Sequence, residues 1–304
     1  MANITEERHF TSKLKQALSS PPAGVIEFFS ALNIFLSITA SLGNVLILIA
    51  LHKVSSIHPP TKLFFRCLTV TDLGVGLFVQ PLHAVFIMCP LIKMKAHDVF
   101  YLQRVRKILS WCLCAVSILT SVAISVDRLL ALSLGLRYRH VVTSRRVRVV
   151  IICLWLLGAL GGSTRGQKIV LTFKGIFVGF LTFFLTTMIF CYTKIYLKLR
   201  HQQAQLHNNV LQGPLAIGGE TPLNVARYKK TVSSILWVQV ALGACYVPSA
   251  IGLMLSANRV NYLAGRATET LLYLNSSLNP ILYCWKIREV KQAVRDTIRQ
   301  LYCI

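Results

Sequence analysis

The chain has 304 residues, is 54% hydrophobic and only 14% charged, and has a mean hydropathy of +0.59. That balance excludes a soluble enzyme domain and a disordered chain, and leaves a protein whose main solvent is lipid. The formal charge of +23 comes from 33 basic and 10 acidic residues. With the N-terminus outside, most of the basic residues fall on inner segments, so the excess reflects the positive-inside rule and anionic headgroups, and no nucleic-acid partner is implied.

Met1–Ser20 is polar and shows no cleavable signal peptide, so the first helix is expected to act as the signal anchor. Residues 1–24 read as an extracellular tail, and Asn3-Ile4-Thr5 within it is a glycosylation sequon. Apolar runs follow at Val25–Leu51, Leu63–Met88, Ile108–Leu134, Val147–Gly162, Ile169–Leu199, Thr231–Leu255 and Ala267–Trp285. Most exceed the roughly 20 residues that cross a bilayer, and the fourth is short. The expected architecture is all-α and integral to the membrane: a seven-helix bundle over 25–285, then a short amphipathic eighth helix over 286–304. No internal repeat of the transporter kind is present.

Taken in chain order, the helices carry polar groups that hydrocarbon would not tolerate without partners. The first has Gly43-Asn44, and the second has Leu68-Thr69-Val70-Thr71-Asp72-Leu73. A lone Asp72 can be satisfied by neighbouring hydroxyls. Yet Asn44, Ser117, Asn275, Ser276 and Asn279 can converge on it, and such an oxygen set suits a small cation or a proton. The third helix opens with Arg106, Lys107, Ser110 and Trp111 and closes on Asp127-Arg128-Leu129, followed by Leu136-Arg137-Tyr138. Arg128 by itself is compatible with a snorkelling anchor; the preceding Asp127 argues for a fixed ion pair that orients it. Trp155 marks the fourth helix, Cys191-Tyr192-Thr193-Lys194-Ile195-Tyr196 the fifth, and Cys245-Tyr246-Val247-Pro248 a kink in the sixth. The seventh holds Glu269, Tyr273 and then Asn275-Ser276-Ser277-Leu278-Asn279-Pro280-Ile281-Leu282-Tyr283. Spacings of three and four put Asn275, Ser276, Asn279 and Tyr283 on one inward face. Asn275-Ser276-Ser277 also fits the sequon but lies within the membrane.

Seven of the nine cysteines fall in or beside helices, where small apolar packing explains them. Cys89 stands alone near the outer surface, so no outer disulfide pair is expected. Cys303, after an amphipathic tail, fits a palmitoylation site.

These landmarks together resemble the class A (rhodopsin-like) G-protein-coupled receptors over about residues 25–303. GN, LxxxD, DRL with LRY, the tryptophan, CYxxIY, CxxP and NSSxNPxxY occur in family order. The resemblance implies a sodium pocket at Asp72, Ser117, Asn275, Ser276 and Asn279. It also implies switches at Asp127, Arg128, Tyr192 and Tyr283 that open a cavity for a heterotrimeric G protein, and a membrane-surface helix from Lys286. No cofactor is implied beyond an allosteric sodium ion. The departures narrow the group. The usual disulfide cysteine falls near Gln103, the second outer loop, about Gly161–Lys168, is short and lacks cysteine, and Phe184 and Tyr246 replace a proline and a tryptophan. Those losses resemble the melanocortin, adenosine, cannabinoid and lysophospholipid receptors, and LRYRHVVTSRRV looks melanocortin-like. Tyr273 replaces the opsin lysine, and Ser110 replaces the amine-receptor aspartate. Leu82, Gln103 and Lys107 replace the melanocortin acids, and Leu253 the adenosine-receptor asparagine.

The outer residues Arg106, Lys107, Ser110, Trp111, Tyr246, Leu253, Glu269 and Tyr273 admit three readings. Glu269 neutralises Arg106 or Lys107 and nothing binds; an anionic or zwitterionic ligand is held by Arg106 or Lys107; or an apolar ligand sits among Trp111, Tyr246 and Leu253. The expected function is a multi-pass plasma-membrane receptor, N-terminus outside and C-terminus cytoplasmic, that passes an extracellular ligand signal to a G protein. Two alternatives stand: a ligand-independent receptor-like protein with a truncated outer face, and a small-ion transporter around Asp72. No Walker loop, HExxH or GxSxG suggests an enzyme.

Overall fold

A computed structural model describes residues 22–302 apart from 56, 165–169, 212–235, 238, 253–261 and 287. Every regular element among the described residues is helical. The helices are α1 (Ala23–Lys53), α2 (Pro59–Met88), α3 (Ala96–Leu134), α4 (Ser144–Thr164), α5 (Val170–Leu211), α6 (236–252), α7 (Tyr262–Lys286) and α8 (Arg288–Tyr302). A short turn of helix, Tyr138–Val141, lies between α3 and α4. The end of the bundle bearing the α2–α3 connection is termed outer here.

Four described segments (Ala23–Lys53, Pro59–Met88, Ala96–Val141 and Val178–Gln202) are long and apolar enough to cross a membrane. α4 starts on Arg145, Arg146 and Arg148, and α7 carries the polar stripe, which lowers the hydropathy of both. Large apolar side chains such as Phe35, Leu42, Leu156, Leu160, Ile189 and Phe190 point outward, as lipid permits. α3 starts well before its apolar run, because its outer turns face other helices as well as lipid and can carry charge.

α3 is the hub and packs against α2, α4 and α5, while α1 packs against α2, α7 and α8. Small residues bring α4 close to α3. A Cβ added at Gly158 would lie 2.6 Å from Val116 Cγ2, and one at Gly161 would lie 2.7 Å from Trp111 Nε1. Pro81 cannot donate and crowds the carbonyl one turn back, and α2 absorbs this with a π turn at Val75–Val79. Ser37 Oγ donates to the Gly76 carbonyl within that turn at 2.7 Å. Pro280 likewise frees the Ser276 carbonyl in α7, and Asn44 Nδ2 donates to it at 3.0 Å. Gly43 makes this possible, because a Cβ there would meet Pro280 Cβ at 2.9 Å. α8 seats Val290 and Val294 in the inner core beside Ile47, Phe65 and Tyr283, and Lys53 Nζ clamps it through Thr297 and Gln300.

Candidate functional site: three polar layers

The first layer lies at the outer end. Arg106, 2% exposed, donates through Nη1 to His83 Nδ1 at 3.2 Å and to the Tyr273 hydroxyl at 3.1 Å. Its Nη2 reaches Glu269 Oε1 at 3.4 Å, while Arg266 Nη1 holds Glu269 Oε2 at 2.9 Å. The Tyr273 hydroxyl in turn donates to Ser110 Oγ at 3.3 Å. A guanidinium only donates, so His83 accepts at Nδ1 and keeps its proton on Nε2. Both guanidiniums lie over the Phe86 ring, Arg106 at 4.7 Å and Arg266 at 4.9 Å.

Of the predicted outer residues, Arg106, Ser110, Glu269 and Tyr273 thus form one network. Lys107 is half-buried beside it, and its charge acts on Glu269. Trp111 and Tyr246 pack together with Cys114 and Leu242 in the apolar layer beneath. Leu253 lies outside the described residues. Sequence reasoning missed His83, Arg266, Gln80 and Asn33. An intramembrane histidine in Gln80-Pro81-Leu82-His83 was the available signal, because ionisable groups are rarely spent there without use.

The second layer surrounds Asp72, which is 1% exposed. Its Oδ1 accepts from Ser276 Oγ at 2.9 Å and its Oδ2 from Asn279 Nδ2 at 2.7 Å. Ser117 stands level with it on α3, since Gly74 packs on Leu113 and Cys67 meets Thr120 across the same interface. Ser117 Oγ, Asn275 Oδ1 and Asn279 Oδ1 are buried acceptors with no hydrogen-bond partner. A carboxylate ringed by spare neutral oxygens fits a small hard cation. Asn44 spends its amide nitrogen on the Ala40 carbonyl and on the Ser276 carbonyl that the proline kink frees, and its Oδ1 is a further buried oxygen without a hydrogen-bond partner.

The third layer closes the inner end. Asp127 Oδ1 accepts from the Tyr138 hydroxyl at 2.6 Å, and its Oδ2 accepts from Thr61 Oγ1 at 3.0 Å. Arg128 donates to Asp127 Oδ2 and to Thr61 Oγ1, so the expected pair is present with two further members. His58 meets the Tyr138 ring at a tilt of 51°, 5.1 Å between ring centroids. Tyr283, 1% exposed, packs edge-to-face on Phe65, and Tyr192 packs against the Ile195 and Leu199 cluster. Asn3 and Cys303 lie outside the described residues. So does the Arg227–Lys230 segment that precedes α6.

The layers follow one axis: an outer ionic cluster, a buried carboxylate with spare oxygens, and an arginine held at the inner mouth. A family model described as the 7 transmembrane receptor (rhodopsin family) matches residues 43–165 and 162–283. The chain belongs to that family and is a multi-pass plasma-membrane receptor that transduces an extracellular ligand signal to G proteins. Similar chains include the adenosine receptor A3 of Ovis aries, 27% identical over 87% of this chain and 87% of its own length. The histamine H2 receptor of Cavia porcellus is 28% identical over 90% of this chain and 79% of its own length.

Proposed function

We propose that this receptor lies with its N-terminus outside, receives an anionic or zwitterionic ligand at the Arg106 layer, and is held closed by sodium at Asp72 and by the Asp127–Arg128 lock. The observation that carries the reading is the vertical order of the layers. A ligand that alters Arg106, Tyr273 and Ser110 pulls on α3 and α7 together. Those two helices also bear Ser117, Asn275, Ser276 and Asn279. Asp72, Ser117, Asn275, Ser276 and Asn279 would hold the ion, which supplies positive charge that keeps α2, α3 and α7 together. Differential affinity for the closed packing is what lets such an ion bias the equilibrium.

The relatives' names include adenosine and histamine receptors, but this chain's residues favour neither ligand. A buried Ser110 bonded to Tyr273 offers no carboxylate for an amine, and the outer cluster carries two arginines against one glutamate. The test is nucleotide exchange on a panel of purified G proteins by the full-length receptor in nanodiscs. Sodium and candidate anions are varied in turn. Exchange above receptor-free discs that falls as sodium rises is the expected result. Exchange indifferent to sodium from 1 to about 300 mM would remove the ion from the reading.

A further inference from the structure

The outer cluster contains more buried donors than the protein uses. Arg106 Nε, His83 Nε2 and the Gln80 amide nitrogen each lack a hydrogen-bond partner, as do Gln80 Oε1 and Asn33 Oδ1. All four residues are at most 2% exposed. They are neighbours: His83 is bonded to Arg106, and Gln80 lies one turn from His83 on the same face of α2. Asn33 stands level with Gln80, because Ser30 reaches the Ala84 carbonyl and Ser37 the Gly76 carbonyl along the same interface. A buried donor left without an acceptor costs roughly 1–3 kcal/mol, and here three lie on adjoining turns.

Arg106 shows how a guest would fit. The Nε and Nη2 edge of a guanidinium matches two oxygens of one anion side by side. Here Nε is idle, and Nη2 has only the long 3.4 Å contact to Glu269. Glu269 is better held elsewhere, by Arg266 at 2.9 Å. Its side chain is 35% exposed against 3% for Arg106, so it stands over the arginine toward the outer mouth.

We propose that paired anionic oxygens of the ligand, from a carboxylate or a phosphate ester, displace Glu269 from Arg106 and dock on its Nε/Nη2 edge. His83 Nε2–H and the Gln80 amide serve as further donors, and Glu269 withdraws onto Arg266. Two guanidiniums against one carboxylate leave a positive charge that the incoming anion neutralises. The exchange rests on the reading of this layer as the ligand site.

The test uses the full-length receptor in nanodiscs. The probes are straight-chain carboxylates from acetate to dodecanoate, the matching primary amides and the monoalkyl phosphates, read by thermal shift and by G-protein exchange. Carboxylates or phosphates, but not amides, are expected to stabilise the receptor, and the better series identifies the source of the anion. Glu269→Gln, which keeps the side chain's size and releases Arg106, should tighten anion binding about tenfold, while Gln80→Leu should weaken it about fivefold. Arg106→Lys, which keeps the charge without the paired edge, should weaken it at least tenfold and serves if Arg106→Gln does not fold. Amides that bind as well as anions would overturn the proposal. Anion binding lost in the Arg106 variants but unmoved in Glu269→Gln and Gln80→Leu would overturn the exchange while leaving an anion at Arg106. No anion dependence in either wild type or Glu269→Gln would overturn both.

Discussion

At the residue scale, two carboxylates are buried in the same bundle and solved in opposite ways. Asp72 accepts from two neutral donors, Ser276 and Asn279, whereas Asp127 is tied to Arg128, Thr61 and Tyr138. Asp72→Asn should therefore abolish the sodium sensitivity of basal exchange, while Asp127→Asn should raise basal exchange itself. Tyr138→Phe removes a 2.6 Å bond to a charged acceptor. Such a bond is worth about 1.5–3 kcal/mol, so if it exists only in the closed form, basal exchange should rise by about tenfold or more. Thr61→Ala should act in the same direction, and Arg128→Ala should silence exchange. If Tyr138→Phe reaches the surface normally with unaltered basal exchange, Tyr138 is no part of the lock. The Asp127–Arg128 pair was legible from adjacent letters, but Thr61 and Tyr138 were not, because their partners are far away in sequence.

At the element scale, close approach decides what the helices can do. Gly158 and Gly161 let α4 lie against α3 at Val116 and Trp111. Gly158→Val and Gly161→Val should each lower the melting temperature by several degrees, through overpacking that costs about 1–3 kcal/mol. Gly161→Val should also disturb ligand response, because Trp111 roofs the layer shared with Tyr246. α7 shows the converse, a helix made possible by its neighbour. Asn44→Leu leaves the Ser276 carbonyl unpaired and should cost about 1–3 kcal/mol in a thermal-melting assay. α8 is held by Lys53 at Thr297 and Gln300 and by its apolar stripe. Acyl-exchange labelling should disappear in Cys303→Ser, and labelling that persists would leave the helix itself as the anchor.

At the scale of the whole molecule, orientation and basal tone can be measured together. Glycosidase treatment should shift the mobility of the wild type and not of Asn3→Gln, as an outer N-terminus requires. The sequence ahead of α6, Arg227-Tyr228-Lys229-Lys230, carries three basic residues and no acid to pair with Arg128. Measurable ligand-free signalling is expected, and Tyr228→Glu should lower it by supplying a partner worth roughly 0.2–1 kcal/mol, up to about fivefold. A wild type at the surface that is as silent as receptor-free membranes across the G-protein panel would contradict that expectation.

Composition and periodicity by themselves determined the solvent, the helices and their number, because lipid forces each segment to close its own backbone hydrogen bonds. The spacing in α7 determined that Ser276 and Asn279 share a face, and Asp72 is where they deliver their donors. Only the tertiary structure decided which helix satisfies a freed carbonyl, and the Asn44 amide nitrogen takes that task. It also set the partners of Glu269. The carboxylate does meet Arg106, but shares itself with Arg266 and leaves the arginine's Nε and the Gln80 amide without partners. Side chains on different helices meet according to packing depth and rotation, and neither quantity is written in the order of residues along a single helix.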